Sequence, residues 1–285
     1  MDISKVKSVY LIGIKGVGMT MLAEFLLHQG LAVSGSDVAD TFMTDAVLAK
    51  AGISVHQGFS AAQVPTDVDL IVYSTAYTAD TNEEVRAALA GAVKTVTQIE
   101  AVAAVFNRHY GIAVAGSHGK TTTSAWLAYV LKEAGLDPSA MIGAAVPQLG
   151  GESLNGASNY FVLEADEYQN KLKHLDPKVI VLNNIDYDHP DFFKNVSDYE
   201  QTFADFLSRL PKSGSLIANF DDAAVRRLAG TCCAGKTVSY GLEASADYVA
   251  TDIEEHDGRQ YFKVRLGTVD AGELGADETS ELGDF

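Results

Sequence analysis

Apolar positions along this chain fall into short runs that alternate with helix-spaced stretches. Residues 7–14 (KSVYLIGI) form an apolar run bounded by glycine, and residues 19–29 carry apolar side chains at helical spacing until Gly30 stops the helix. The alternation continues with a strand at 31–37, a helix near 41–51, strands near 53–55 and 69–75, a helix near 81–91 and a strand at 93–97. Strands alternating with helices predict an α/β fold with a parallel, doubly wound sheet, here a Rossmann-like N-terminal domain. A polar helix is expected near 98–108, after which the pattern restarts with YGIAVAG at 110–116 and a helix over 119–134 closed by Gly135.

The restart predicts a second parallel-sheet domain containing strands at 159–166, 178–186 and 215–220 and a helix near 197–210. The boundary is placed near 107–109, which gives domains 1–107 and 108–285. From about residue 246 the pattern becomes strictly alternating (DYVATDI, then RQYFKVRL), as in a β-hairpin extending the edge of the second domain. The stretch 267–285 has no periodicity and is expected to be a solvated tail or an exposed strand edge.

Length and composition sharpen this picture. A chain of 285 residues with 47% apolar and 21% charged positions is long enough for two cored domains. The net charge of −17, of which −9 lies in residues 242–285, argues against a nucleic-acid partner. The two cysteines, Cys232 and Cys233, are adjacent, which fits neither a disulfide framework nor a CxxC pair, so a reducing cytoplasm is the expected compartment. Lys15 and Glu24 interrupt the apolar N-terminal stretch, and no run reaches the roughly 18 residues of a membrane helix. A soluble, untargeted protein is expected.

The segment VAGSHGKTTTS at 114–124 lies between a predicted strand and a predicted helix, where backbone N–H groups and a helix dipole converge on an anion. It predicts a nucleotide phosphate site of the P-loop type, with Lys120 as a point charge for the β and γ phosphates and the Thr121 hydroxyl as an Mg²⁺ ligand. The first loop glycine is Gly116, so the loop is shorter than GxxxxGK[ST]. The plainer alternative is a polar turn capping a helix, but Trp126, Leu127, Val130 and Leu131 give that helix an apolar face to dock. LEADE at 163–167 and NNIDYDH at 183–189 end predicted strands, where open α/β sheets hold ligands, and Glu164 with His189 suits Mg²⁺.

The N-terminal loop GIKGVGMT at 13–20 offers a second anion site, with Asp37 at the next strand end placed to meet a ribose and Lys15 suited to a diphosphate. Its glycines, Gly13, Gly16 and Gly18, read GxxGxG and not GxGxxG. An NAD-binding oxidoreductase using these residues is therefore a competing reading, and it leaves GKTTT unexplained. A nucleotide-binding module without turnover is a third.

Taken together, IGIKGVGMT followed by SGSD, STA at 74–76 followed by Asn82 and Glu83, AGSHGKTTT, and EADE with NNIDYDH resemble the Mur ligases of peptidoglycan synthesis over residues 6–240. The resemblance implies an ATP-dependent amide ligase. In that family a nucleotide-sugar carboxylate attacks the γ phosphate of ATP, and an amine then displaces phosphate from the acyl phosphate. Such chemistry rests on positioning and charge neutralisation more than on a protein nucleophile. By the same resemblance Gly116, Ser117, His118, Gly119, Lys120, Thr121, Thr122 and Asn184 hold ATP, and Lys120 and His189 are catalytic. Thr121 and Glu164 hold one Mg²⁺, and Glu164 and His189 a second. Gly13, Lys15, Gly16, Gly18, Ser36, Asp37 and Ser74 face the UDP part of UDP-N-acetylmuramate.

The chain departs from the family in places. Lys15 stands where many members have glycine, and Phe203 or Ala204 stands where several sister ligases carry a carbamylated lysine, which favours the alanine-adding branch. EADEYQ and NNIDYDHPDFF resemble instead the ligases that recycle murein tripeptide, the alternative substrate reading. Full members continue through a Gly-His-Asn segment and a C-terminal amino-acid-binding domain. A chain ending at Phe285 is expected to be a fragment lacking that domain, with binding but little turnover.

Overall fold

The first strand, β1 (Ser8–Ile12), buries Val9, Tyr10, Leu11 and Ile12 in succession. Apolar side chains on both faces mark a central strand of a covered parallel sheet. In the computed structural model β1 is flanked by β2 (Ala32–Asp37) and β4 (Leu70–Tyr73), with β3 (Ser54–Gln57) and β5 (Thr95–Thr97) outermost, in the order β3-β2-β1-β4-β5 and all parallel. Helices α1 (Val17–His28), α2 (Thr44–Lys50), α3 (Glu83–Ala90) and α4 (Gln98–Phe106) make the connections.

The structure describes residues 2–243, 245–267 and 281–284, of which the last four are described by their backbone. It divides into two compact units: the chain up to Gly111 together with Thr121–Glu164, and Ile112–Lys120 together with the chain from Ala165 on.

In the first unit α4 corrects the expectation of a polar helix, because it buries Ala101, Val102, Ala103, Val105 and Phe106. Its polar signal comes from its start, where Thr97 and Glu100 form a reciprocal capping box. After β6 (Tyr110–Ala115) and α5 (Lys120–Glu133) come β7 (Ser139–Val146), β8 (Gly151–Leu154) and β9 (Tyr160–Glu164); β7 runs antiparallel to β8 and parallel to β9. Phe161 of β9 meets Phe25 at 5.3 Å and Phe106 at 5.9 Å between ring centroids, both edge to face. Such aromatic pairs add to burial and tie this segment to the N-terminal helices within one unit. Strands β7 and β8 were not expected, because Gly143, Gly150 and Gly151 break the apolar run that would have announced them.

A second correction concerns α5. Its buried residues are Ser124 and Ala128, four apart, whereas Trp126 is 73% and Val130 60% exposed. Small side chains on the inner face let the helix backbone approach closely; Trp126 and Val130 are left outward, while Leu127 and Leu131 are half-buried.

In the second unit the sheet order is β15-β14-β13-β12-β11-β10-β6, where β10 is Val179–Leu182, β11 Ser215–Asn219, β12 Lys236–Gly241, β13 Tyr248–His256, β14 Arg259–Leu266 and β15 Glu281–Asp284. Pairing is parallel from β6 to β13 and antiparallel across β13, β14 and β15. The expected hairpin is present, and Tyr240↔Tyr248 pairing joins it to the sheet. Of the expected tail, 281–284 is a strand on β14, and 268–280 and 285 lie outside the described residues. Helices α6 (Val196–Ser208) and α7 (Ala223–Cys232) cover this unit; α7 and β12 were not anticipated. No helix among the described residues is long and apolar enough to cross a membrane.

Candidate functional site

The N-terminal sheet reverses its winding between β1 and β4, which makes their carboxyl ends the place where such folds open a crevice. Gly13 and Ser74 follow these two strands, and Ser74 N–H donates to Ile12 O at 3.0 Å. Gly13 has φ +83°, and a Cβ there would lie 2.8 Å from the Tyr77 ring, so glycine is required on both counts. Gly16 caps α1 with no side-chain hydrogen bond, and Gly18 lies in its first turn. A Cβ at Gly18 would come 3.0 Å from Gln98 Nε2.

Lys15, Ser36 and Asp37, expected to face the UDP part of the substrate, each have partners within the loop and its surroundings. Lys15 is 5% exposed, and its Nζ donates to Val38 O at 3.0 Å and Asp40 O at 2.8 Å and pairs with Asp45 at 3.1 Å. Asp37 accepts Lys15 N–H at 2.7 Å, Val38 N–H at 2.8 Å and the Tyr77 hydroxyl at 3.3 Å. The Ser36 hydroxyl is buried and donates to Glu84. Glu84 is itself fully buried, accepts Tyr10 Oη and Ser60 N–H at 3.4 Å each, and was missed because it reads as an ordinary first-turn helix acid. Burial pushes the Glu84 carboxyl above its usual range and the Tyr10 phenol up to about 12.

The second glycine loop turns from β6 into α5 through Gly116 (φ +136°) and Gly119 (φ +76°). A Cβ on Gly116 would lie 3.0 Å from Asn184 O. Asn184 braces the loop: its Oδ1 accepts His118 N–H at 2.8 Å, its Nδ2 donates to His118 O at 3.1 Å, and its O accepts Ser117 N–H at 3.2 Å. Ser117 is buried, with its hydroxyl 2.7 Å from Asp186 O and 2.8 Å from Tyr199 Oη. The Asn184 and Ser117 side chains therefore shape the loop, and what the loop offers outward is backbone, the exposed His118 and Thr122 side chains, and the start of α5.

Lys120 opens α5 and is drawn back over the loop. Its Nζ donates to Gly116 O at 2.6 Å, Ser117 O at 3.3 Å and Glu167 Oε2 at 2.9 Å. Glu167 is fully buried; its Oε1 accepts the Tyr199 hydroxyl at 3.0 Å and lies 3.7 Å from His189 Nε2. Burial pushes the Tyr199 phenol up, and Ser117 counters it in part. His189 holds φ +55°, a conformation that costs energy in a non-glycine residue and recurs at functional sites. Among the described residues, the only cluster of three His, Cys, Asp or Glu side chains with ligand atoms within 4.8 Å of one another is Asp166, Glu167 and His189. His189 thus stands with Glu167, a residue inside the recognised EADE run whose role the sequence did not reveal.

Thr121 and Glu164 are together as expected: the Thr121 hydroxyl donates to Glu164 Oε1 at 2.7 Å. Gly143 of β7 donates its N–H to Glu164 Oε2 at 2.6 Å, and a Cβ there would come 2.9 Å from that oxygen. A hydroxyl and a carboxylate at a helix start are hard oxygen donors of the kind that suits Mg²⁺. The residues present fit that ion.

Residues 8–110 match the model of the Mur ligase family catalytic domain, and 114–284 that of the Mur ligase middle domain. A UDP-N-acetylmuramate–L-alanine ligase of Chlorobium luteolum is 37% identical over 93% of this chain and 55% of its own length, and one of Desulfitobacterium hafniense is 35% identical over 92% and 57%. Among solved structures, the UDP-N-acetylmuramate:L-alanyl-γ-D-glutamyl-meso-diaminopimelate ligase from Neisseria meningitides superposes with a TM-score of 0.82 at 28% identity, covering 92% of this chain and 84% of that one. The Thermotoga maritima UDP-N-acetylmuramate-alanine ligase shares the fold at TM-score 0.78 and 24% identity, covering 92% and 58%. This chain spans little more than half the length of the curated relatives it matches.

Proposed function

The chain belongs to the Mur ligase family, and from that premise we propose that it carries the UDP-sugar and ATP sites of a cytoplasmic ligase that joins L-alanine to UDP-N-acetylmuramate. Residues 1–107 would form the UDP-sugar domain and 108–285 the ATP domain, a division supported by the matched ranges 8–110 and 114–284. The observation that carries the reading is the Thr121–Glu164 hydrogen bond of 2.7 Å at the end of a glycine-turned loop between strand and helix.

In this reading the backbone of Gly116–Thr122 and the N-terminus of α5 receive the β and γ phosphates, and Lys120 neutralises charge that develops during transfer. Thr121 and Glu164 would hold Mg²⁺, with His189 offering a further donor beside Glu167. Held there, Mg²⁺ would supply positive charge that offsets the repulsion between the phosphates and an attacking carboxylate. Gly13, Gly16 and Gly18 would bring backbone against the UDP diphosphate, with Ser74 beside them, while Lys15, Ser36 and Asp37 hold the loop in shape.

The Neisseria structure supports a second substrate reading, in which the added group is a tripeptide. Thermal-shift measurements test the main proposal. UDP-N-acetylmuramate and, separately, Mg²⁺ with a non-hydrolysable ATP analogue are expected to stabilise the chain, by about 2.7 kcal/mol at a hundredfold excess over Kd, and NADH is not. Stabilisation by NADH alone would overturn the proposal. Ligation assays with L-alanine or tripeptide as acceptor distinguish the two substrates.

A further inference from the structure

An ammonium group has three N–H donors, and all three on Lys120 have partners in this structure. Two are carbonyls of its own loop; the third, Glu167 Oε2, is the only carboxylate that pairs with it among the described residues. Lys120 therefore has no donor left for a phosphate oxygen. An arriving polyphosphate must take one, and the buried carboxylate is the partner with which it competes as a like charge.

Glu167 is built to survive that loss. Its other oxygen accepts the Tyr199 hydroxyl at 3.0 Å and faces His189 Nε2 at 3.7 Å, so the carboxylate keeps polar partners when the lysine leaves. Tyr199 is fully buried and also touches Ser117 at 2.8 Å, which ties the same hydroxyl to the loop itself.

We propose that Glu167 is a resting partner of Lys120 that competes with the bound phosphates for it, and that Tyr199 is the positioning residue that lets Glu167 release it. The inference rests on the nucleotide-site reading of the loop and adds to it a determinant of affinity outside the glycine motif.

Inorganic tripolyphosphate in the presence of a chelator is the probe, because it has no base and needs no metal, and its affinity is read by isothermal titration calorimetry on the whole chain. Glu167→Gln keeps the shape and removes the competing charge; it is expected to bind about three- to tenfold more tightly than the parent chain. Tyr199→Phe is expected to bind about threefold more weakly, since the carboxylate then holds the lysine harder. In a Lys120→Met background the Glu167→Gln gain is expected to vanish. Should the glutamine variant not fold, Glu167→Met fills similar volume without charge and is expected to shift affinity the same way.

Equal or weaker binding by folded Glu167→Gln would assign Glu167 a purely structural role and overturn the inference. A gain that persists without the lysine would overturn competition for it. If the parent chain and every variant fail to bind tripolyphosphate, it is the nucleotide-site reading that falls, and the inference with it.

Discussion

The Thr121 hydroxyl donates to Glu164 Oε1 at 2.7 Å, and the other Glu164 oxygen is held by the backbone N–H of Gly143 at 2.6 Å. The carboxylate is thus aimed by two elements far apart in sequence. A side chain at residue 143 would push against it, since a Cβ would lie 2.9 Å from Oε2. Gly143→Ala is expected to weaken Mg²⁺–nucleotide binding by about tenfold while leaving metal-free polyphosphate binding within about twofold. Calorimetric titration with and without Mg²⁺ checks this; equal losses in both conditions would mean that the loop itself had moved.

Lys15 is a pin of the N-terminal loop. Lys15→Met removes the donor to Val38 O and Asp40 O and the partner of Asp45, and is expected to cost about 2 kcal/mol of stability. Denaturant unfolding measures it. Unchanged stability with a loss of UDP-sugar affinity would show instead that the ammonium serves the ligand.

Glu84 gives the stability a pH signature. Its native pKa lies above the unfolded one, so the native state holds the proton more tightly. Its contribution is full below the unfolded value of about 4.3 and is lost as pH rises through the raised native value. Relative to Glu84→Gln, the parent chain should therefore lose ground as pH rises across that window. Melting temperatures of both proteins from pH 4 to 8 test this, and a difference independent of pH would contradict it.

Thr97 heads α4 with its side chain accepting Glu100 N–H, while Glu100 reaches back to Thr97 N–H at 2.8 Å. Thr97→Ala is expected to destabilise by about 1 kcal/mol in denaturant unfolding. No change would mean that burial of Val102 and Phe106 alone fixes the helix.

The strands and glycine turns were legible in the sequence because parallel strands are continuous apolar runs and the turns between them need glycine. That reading placed β1, β6 and β10 and both loops, while the pairing of Thr121 with Glu164 was implied by the resemblance to the Mur ligases and not by the pattern. It did not find β7, whose Gly143 orients Glu164, because glycines blur a short strand into a loop. Nor did it separate side chains that line a loop from those that build it. Lys15, Ser36, Asp37, Ser117 and Asn184 all lie in recognisable motifs, but their partners, such as Glu84 and Asp186, are distant in sequence. Glu167 and Tyr199 come together only through the fold, 32 residues apart.

Calorimetric titration of the chain with a non-hydrolysable ATP analogue, with and without Mg²⁺ and with Thr121→Ala in parallel, bears most directly on the central claim. A nucleotide site at this loop is expected to bind the analogue with Mg²⁺ and to lose about tenfold or more in affinity when either the metal or the Thr121 hydroxyl is removed. Affinity indifferent to both would contradict the account.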